Sequence, residues 1–495
     1  MSSSLLDATC EAYVLDVAKH SPTDATAWGI PGHDGELQDF SPAYWDGLAD
    51  LARNMLADVD ALEDDFTPED ELTAAILRDR LGIELDLHHR AETYGQLNNI
   101  ASPVQTIRDS FSLMSDPDVI RARLSRVPAA LSGYRESLAL AAGQGRIAAQ
   151  RQVELLINEC NDTSFWDTLE APATEVEAVK RAHMELATWL SEQLAGNAPT
   201  CDGVGRERYE LFSRHFLGAT VDLDEAYSWG LDELERIVSE QEALARELYG
   251  CGVEEAKARL NKEHVIHGVS ELKKWMQGIA DSAVATYGTP PIECCIDPAG
   301  TGGIFYTPPA EDGSRLGRMW WSVAPGEDTF YKWQELTTVY HEGAPGHHMQ
   351  ITAAMAAPLN LWRRVACWNS GHGEGWALYA ENLIDHEPAT RMGLLDAQRL
   401  RAARVVLDIG VHLGKKNWDA AYARNFLREN CTMSPASMEF EINRYLGWPG
   451  QAPSYALGQR LWEEIRDNSG LPLDEFHSQA LSYGSIPLGL LKEQF

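Results

Sequence analysis

The chain has 495 residues, of which 44% are hydrophobic, and its 75 acidic and 41 basic residues give a net charge of -34. This length can bury a large core, while the negative charge would repel nucleic acid and anionic membranes. No segment approaches the roughly 18 consecutive apolar residues of a membrane span, and the first residues lack a basic, apolar signal segment. The eight cysteines show no disulfide pattern. We expect a cytoplasmic protein of undefined oligomeric state that binds neither nucleic acid nor membrane.

Apolar residues recur at three- and four-residue spacing through much of residues 1–285, which is typical of amphipathic helices. The clearest helical segments are Leu51–Leu62, Leu72–Leu87, Val127–Ala142, Ala178–Leu194 and Ala226–Leu248. Gly250 and Gly252 follow the last segment, as expected where a helix ends. The pattern predicts a mainly α fold.

Near residues 290–325 the composition changes, because prolines and glycines alternate with short β-prone runs. The runs Ile304–Tyr306 and Met319–Val323 predict a small β-hairpin or a sheet of two or three strands. Met319–Val323 could be an exposed edge strand that holds a substrate backbone by strand addition, or a strand that only covers the core. Asp328 or Thr329 is expected to cap the helix that follows.

The chain has no internal repeat and no low-complexity linker. We therefore expect a helical N-terminal part, residues 1–285, and a metal-site part that includes the β element, residues 286–495. These two parts are predicted to fold as one interwoven unit.

Three histidines and one glutamate lie within residues 341–348, and a second helical stretch, residues 373–381, adds two carboxylates. The residues of this group are His341, Glu342, His347, His348, Glu374 and Glu381. Imidazoles and one carboxylate from two neighbouring helices are the ligands of hydrolytic zinc sites with an open coordination position. A glutamate directly after the first histidine is where such enzymes keep the base that deprotonates water. Glu381 could ligate the metal, support a ligand or lie at the surface.

The spacing departs from H-E-x-x-H, because the second histidine comes six or seven residues after His341. On a regular helix the first of these would point about 120° away, and the second would lie about 10 Å along the axis. Pro345 clashes with the carbonyl of His341, and Gly346 can absorb the distortion. We expect a bulged helix in which two extra residues are looped out, so that His347 or His348 reaches the metal.

Several further polar residues are candidates for substrate binding or for support of the site. Arg404, Asp408 and His412 are spaced four apart and so share one helix face, either as a structural ion pair with an imidazole or as part of a functional site. Arg404 or Arg444 could bind a substrate carboxylate through a bidentate fork. The second-rank candidates are His372 and His477, which could orient ligands or donate to an intermediate.

Six sequence blocks between roughly residues 290 and 495 carry a family resemblance: 341–348, 374–381, 404–412, 449–455, Phe476-His477 and 484–488. In combination they resemble the bacterial "domain of unknown function 885" family. That family in turn resembles the all-helical zinc peptidases of the thimet oligopeptidase and carboxypeptidase Taq type. The likeness implies a large two-lobed helical fold around a deep cleft.

The resemblance also implies roles for single residues. In those peptidases a ligand glutamate begins a Glu-x6-Glu pattern, which Glu374 and Glu381 match, and the Gly346-His347 pair matches their Gly-His. His341, His347 and Glu374 would then be the ligands, with His348 as the alternative. Tyr455 would be the tyrosine that steadies the tetrahedral intermediate.

The sequence therefore predicts a hydrolase with one divalent metal, zinc or else Mn²⁺ or Co²⁺. Glu342 would be the general base and Tyr455 the oxyanion donor. The expected substrate is a peptide, which would make the enzyme a carboxypeptidase, dipeptidase or oligopeptidase. The alternatives are an amidase for a small non-peptide amide and a non-catalytic scaffold stabilised by metal.

Overall fold

The computed structural model describes residues 4–297, 303–311, 313–324 and 326–495. The described chain is mainly helical and carries two small sheets, which confirms the predicted fold class. It divides into two compact units. The first contains the chain up to Gly203 with Asn360–Ala366 and Leu446–Trp448; the second contains Val204–Leu359, Cys367–Tyr445 and Pro449–Phe495. All candidate site residues belong to the second unit. Two expectations remain predictions: that the two parts of the chain fold as one interwoven unit, and that the fold surrounds a deep cleft.

The described part of the first unit contains nine α-helices. They are α1 (Leu5–His20), α2 (Pro22–Trp28), α3 (Pro42–Ala61), α4 (Pro68–His89), α5 (Pro103–Ser110), α6 (Pro117–Leu124), α7 (Val127–Gly143), α8 (Gln150–Asn161) and α9 (Ala173–Trp189). A π-helical turn, Leu190–Leu194, extends α9. Capping boxes at Ser4 and Thr67 begin α1 and α4, because each hydroxyl accepts a backbone N–H that has no partner within its helix. Tyr134, Leu156 and Val179 lie in its buried core.

The helices of the second unit lie on both sides of the sheet segment in sequence. They are α10 (Arg206–Leu217), α11 (Leu223–Tyr249), α12 (Val253–Glu263), α13 (Val269–Tyr287), α14 (Lys332–Glu342), α15 (His347–Ala356), α16 (Ser370–Glu381), α17 (Pro388–His412), α18 (Ala420–Asn430), α19 (Pro435–Gly447), α20 (Ser454–Ser469), α21 (Leu473–Ser482) and α22 (Leu488–Lys492). Gly250 ends α11 in the left-handed conformation, with φ at 66°. Four of the five helical segments predicted from periodicity lie within α4, α7, α9 with its π turn, and α11, and Leu51–Leu62 ends one residue beyond α3. None of the described helices is both long and apolar enough to cross a bilayer.

Five strands form two sheets among the described residues. They are β1 (Val265–His267), β2 (Ile292–Ile296), β3 (Ile304–Thr307), β4 (Gly317–Trp321) and β5 (Thr329–Tyr331). β1 pairs with β5, while the other three have the order β2-β4-β3. β4 runs parallel to β2 and antiparallel to β3. The expected small sheet near residues 290–325 is confirmed, although part of that range lies outside the described residues.

The structure decides one open alternative in that segment and contradicts one prediction. Met319–Trp321, the first part of the run Met319–Val323, lies in the central strand β4, which is paired on both sides. This excludes the exposed edge strand and favours the strand that covers the core, since Met319 and Trp321 are buried. Asp328 and Thr329 do not cap the helix, because Thr329 begins β5 and α14 begins at Lys332. The sequence favoured a cap at that point, but pairing of Thr329 with His267 takes the backbone into a strand.

Candidate metal centre

Two separate helices, rather than one bulged helix, carry the histidine motif. α14 ends at Glu342 and α15 begins at His347, so the prediction of a single distorted helix is wrong. The N–H of Gly346 donates to the carbonyl of Tyr340 across 3.1 Å, six residues back instead of four. The turn therefore holds two more residues than a helical turn, as the sequence predicted.

Glycine is required at position 346 by a close backbone approach. A Cβ atom there would lie 2.0 Å from the carbonyl oxygen of His341 and 2.5 Å from that of Tyr340. The indole N–H of Trp376 donates to the carbonyl of Pro345 across 2.9 Å and so ties the turn to α16. α16 is the helix that carries Glu374, only two residues before Trp376. The turn and the carboxylate are thus positioned by the same contact.

α16 is itself fixed against α20. A Cβ on Gly375 would lie 2.4 Å from the carbonyl carbon of Gly458, so the two backbones approach as closely as only glycines allow. The hydroxyls of Ser370 and Ser454 bond across 2.8 Å at the first turns of the two helices. This packing brings Tyr455, in the first turn of α20, close to Glu374, whose charge acts on its phenol.

The structure brings His341, His347 and Glu374 together. One ligand atom from each lies within 4.8 Å of the others. The carboxylate Oε2 of Glu374 is 3.3 Å from Nε2 of His341 and 3.4 Å from Nε2 of His347. Ligands about 2.0–2.1 Å from a tetrahedral zinc ion lie about 3.3 Å apart, so the residues fit this ion. Glu374 is the most exposed of the three, with 15% of its side chain accessible.

Glu381 orients His341 from the side opposite to Glu374. Its Oε1 lies 2.7 Å from Nδ1 of His341, and its Oε2 accepts a hydrogen bond of 2.7 Å from the hydroxyl of Thr337. An ionised Glu381 only accepts, so Nδ1 of His341 donates to it, and Nε2 of His341 faces Glu374 with either a proton or a bound cation between them. Such carboxylate–histidine pairs orient metal ligands.

His348 points elsewhere. Its Nε2 lies 2.6 Å from the carbonyl oxygen of Pro290 and must donate to it, so Nδ1 accepts from the hydroxyl of Tyr306 at 2.8 Å. Burial lowers the pKa of His348, which favours this neutral form. Both nitrogens therefore have protein partners, whereas Nε2 of His347 faces Glu374.

Carboxylates outnumber imidazoles in this group, and the two kinds of side chain shift each other's pKa. Burial opposes protonation of His341, yet the hydrogen bonds to Glu374 and Glu381 raise its pKa to about 10. Burial also opposes ionisation of Glu374, but His341 and His347 outweigh it and hold the pKa well below its usual range. Three carboxylates thus surround two imidazoles, and a divalent cation would balance this charge.

Glu342 is buried and only partly satisfied. Burial raises its pKa, although the nearby imidazoles of His341 and His347 oppose the rise. Its Oε2 has no hydrogen-bond partner among the described residues. A carboxylate with a raised pKa and a free lone pair beside two ligands is suited to accept a proton.

Tyr455 connects the histidine cluster to a pair of arginines. Its ring stacks on that of His341, with the centroids 6.5 Å apart and the planes 10° from parallel. The guanidinium carbons of Arg404 and Arg444 lie 5.0 and 5.6 Å from its ring centroid. Arg444 also donates to the phenol oxygen across 3.2 Å, which leaves the phenol proton free for another acceptor.

Arg404 has protein partners for its guanidinium. It donates to Glu441 at 3.1 and 3.3 Å and to the hydroxyl of Tyr445 at 2.7 Å. Arg444 donates to the amide oxygen of Gln451 at 2.7 Å. Arg404 thus forms a structural ion pair, but with Glu441 rather than with Asp408 on its own helix face. These contacts argue against a fork that binds substrate.

Asp408 and His412 share the helix face of Arg404 but bind other partners. Asp408 accepts from the hydroxyl of Tyr209 at 2.6 Å and from the backbone N–H of Gly450 at 3.0 Å. His412 bonds to the carbonyl of Tyr445 at 2.9 Å. Asp408 thereby anchors the segment that leads into Tyr455.

The hydrogen bonds of His372 and His477 lead away from the metal ligands. Nδ1 of His372 bonds to Gln350 at 2.8 Å, and burial lowers its pKa to about 3. Nε2 of His477 bonds to the hydroxyl of Tyr379 at 2.8 Å. These contacts suit packing and helix positioning, and a substrate role for either histidine stays a prediction.

Sequence reasoning missed several supporting residues. Thr337 lies one helical turn before His341, so the four-residue spacing could have indicated it. Glu441 lies three residues before Arg444 on α19 and could have been found in the same way. Tyr306 gave no such signal, because only the pairing of β3 with β4 brings it to His348.

Fold and site together define a mainly helical protein in which two buried histidines and a partly buried glutamate lie together. The sequence profile described as "Bacterial protein of unknown function (DUF885)" matches residues 22–495. The chain therefore belongs to this family, as the sequence motifs indicated.

Two solved structures resemble the chain over nearly its whole length. The "putative lipoprotein" from Colwellia psychrerythraea has a TM-score of 0.83 at 20% identity and covers 99% of this chain and 97% of its own. The "putative lipoprotein of unknown function" from Shewanella oneidensis has a TM-score of 0.74 at 18% identity and covers 99% of both chains. At these identities the likeness shows the fold alone. No curated protein matches the chain.

Proposed function

We propose that this protein is a divalent-metal hydrolase that cleaves amide bonds in peptides. The observation that carries the proposal is the spacing of Glu374 Oε2 from the Nε2 atoms of His341 and His347, at 3.3 and 3.4 Å. These three residues would hold the ion, and zinc is the metal that such a set of ligands favours. A bound divalent ion supplies Lewis-acid activation of water and of a carbonyl group.

Side chains of the protein would supply proton transfer, oxyanion stabilisation and orientation of the ligands. Glu342, with its unpaired oxygen, would accept a proton from the attacking water and pass it to the leaving amine. Tyr455 would donate a hydrogen bond to the oxyanion, because its oxygen already accepts from Arg444 and its proton is left for another acceptor. Glu381 and Thr337 would keep Nε2 of His341 aimed at the site.

A purely structural metal site explains these residues less well. Structural zinc sites are closed by four protein ligands, whereas this cluster offers three. A buried carboxylate with an unpaired oxygen, such as Glu342, is also destabilising and needs a reason to be there. Proton transfer supplies that reason.

Strand β3 supports a peptide substrate. It lies at the edge of the three-stranded sheet among the described residues, and the hydroxyl of its Tyr306 bonds to His348, next to the ligand His347. An exposed strand edge beside the ligands can hold an extended backbone by strand addition. We assign the binding of a substrate backbone to β3 instead of Met319–Val323, because Met319–Trp321 lies in the central strand.

The test is product analysis of a mixed peptide library with the zinc-loaded enzyme. We expect new N- and C-termini in wild type and a loss of roughly 10²-fold or more in turnover for Glu342→Gln, which cannot accept the water proton. Glu327→Gln, which removes an exposed carboxylate in the loop between β4 and β5, is the matched control and should retain full turnover.

Metal content must be measured on the same samples. Glu342→Gln should keep the zinc content of wild type, because Glu342 is not a ligand in this account. Near-wild-type turnover in the metal-replete variant would contradict the proton-transfer role. Cleavage of small non-peptide amides without cleavage of any peptide would favour the amidase alternative.

A further inference from the structure

Trp368 is an exposed aromatic side chain beside the candidate metal ligands. Its exposure is 47%, whereas that of His347 is 6%. The two ring centroids lie 6.1 Å apart, with the planes inclined by 58°. Single exposed apolar residues are ordinary at protein surfaces, so the position next to a ligand is what distinguishes Trp368.

The six-membered ring of the Trp368 indole packs against the backbone of α16 at Gly373. A Cβ atom on Gly373 would lie 2.3 Å from Cη2 and 2.6 Å from Cζ2 of Trp368. Gly373 directly precedes Glu374 in the chain. The ring therefore contacts the backbone beside one ligand and the imidazole of another.

The segment that carries Trp368 is held on both sides. The thiol of Cys367 donates to the carbonyl of Ser485 at 3.3 Å, and the N–H of Asn369 donates to the hydroxyl of Ser485 at 3.0 Å. The amide oxygen of Asn369 also caps α16 by accepting from the N–H of His372 at 3.0 Å. The backbone of Trp368 is thus fixed before any ligand binds, which reduces the entropy lost on binding.

We propose that Trp368 forms the apolar wall that receives the substrate side chain next to the scissile amide. The preferred substrates are then peptides with a large apolar or aromatic residue at that position, because such a group buries the accessible part of the indole and can stack on it. This inference rests on the proposed function, since it takes the His341–His347–Glu374 cluster as the point where the amide binds.

The experiment uses two hydroxamates that share a metal-binding group and differ in side chain. Isothermal titration calorimetry compares phenylalanine hydroxamate with glycine hydroxamate on the zinc-loaded full chain. Wild type should bind the aromatic compound at least about 10-fold more tightly. Trp368→Ala should reduce this preference to about 2-fold or less and leave the affinity for glycine hydroxamate nearly unchanged.

Controls separate the side-chain effect from damage to the site. Tyr422→Ala removes an equally exposed aromatic ring, at 47%, from α18 and should keep the wild-type preference. Trp368→Phe should retain most of it, because an aromatic wall remains. Trp368→Leu keeps an apolar contact with Gly373 and serves as the test variant if Trp368→Ala loses its zinc.

The outcomes distinguish the two proposals. An unchanged preference in metal-replete Trp368→Ala or Trp368→Leu would overturn the role of Trp368 and leave the metal centre standing. If wild type binds neither hydroxamate after zinc loading, or binds no zinc, the proposed function fails and this inference fails with it.

Discussion

Two clusters of ionisable side chains meet at Tyr455 and balance their charges differently. The His341–His347–Glu374 cluster, with Glu342 and Glu381 beside it, has an excess of carboxylates over imidazoles. In the arginine cluster, Arg404 and Arg444 share the carboxylate of Glu441 and also donate to the neutral partners Tyr445, Gln451 and Tyr455. In the proposed function the first cluster takes a cation from outside the chain, whereas the second relies on partners within the chain.

On this account, a substitution in the arginine cluster should lower the free energy of unfolding more than it affects metal binding. Burial opposes ionisation of Glu441, but Arg404 and Arg444 hold its pKa below the usual range. Glu441→Gln leaves a buried guanidinium without its counter-charge, and we expect a loss of about 3 kcal/mol or more in the free energy of unfolding. Chemical denaturation would measure it, with zinc content unchanged.

A matched control for this variant lies two residues earlier on α19. Glu439→Gln breaks an ion pair with Arg424 whose side chains are 49% and 33% exposed, and it should cost less than about 1 kcal/mol. Equal losses in the two variants would contradict the distinction between a buried and an exposed pair.

A substitution of Tyr455, which contacts both clusters, tests its proposed role as the oxyanion donor. Tyr455→Phe removes one hydroxyl, so an oxyanion donor would lose about 10²-fold in kcat with little change in KM. Steady-state kinetics on any peptide that the enzyme cleaves would measure both constants. A raised KM at constant kcat would instead indicate ground-state binding, and Tyr379→Phe, which removes the hydroxyl that bonds to His477, is the control.

Glu381 tests whether the charge around the histidines supports the metal. Glu381→Gln keeps the shape of the side chain but removes the charge that faces Nδ1 of His341. We expect zinc affinity to fall about 10- to 100-fold, as measured by competition with a chelator. The exposed Asp385→Asn should have no such effect, and equal affinities for all three proteins would leave Glu381 with a packing role only.

Asp408 provides a test by pH, through stability rather than catalysis. Burial raises its pKa to about 7 despite the hydrogen bonds from Tyr209 and Gly450. Because the folded pKa exceeds the unfolded value of about 3.9, its contribution to stability is present below about pH 4 and is lost as pH rises to about 7. Asp408→Asn keeps an oxygen that can accept both hydrogen bonds, so its free energy of unfolding should lack the fall of about 4 kcal/mol between pH 4 and pH 8 that this pKa implies for wild type. Parallel pH curves of unfolding free energy for the two proteins would contradict this assignment.

Local signals in the sequence were enough for much of this picture. Helical periodicity predicted segments such as Val127–Ala142, and the Pro345-Gly346 pair predicted that the helix after His341 could not continue regularly. The choice between His347 and His348 could not come from local pattern alone, because it depends on Tyr306 and Pro290, which approach from distant parts of the chain. The central position of β4 was hidden for the same reason, since its parallel pairing with β2 is not encoded by a turn.

The measurement that tests the central claim most directly is zinc content after loading and gel filtration, in wild type, His347→Ala and His348→Ala. Wild type should carry close to one equivalent, His347→Ala should lose nearly all of it, and His348→Ala should retain most of it. Of these two histidines, His347 directs a ring nitrogen at Glu374, whereas both nitrogens of His348 bond elsewhere. Retention of zinc by His347→Ala, or greater loss from His348→Ala, would contradict the assignment of the metal centre.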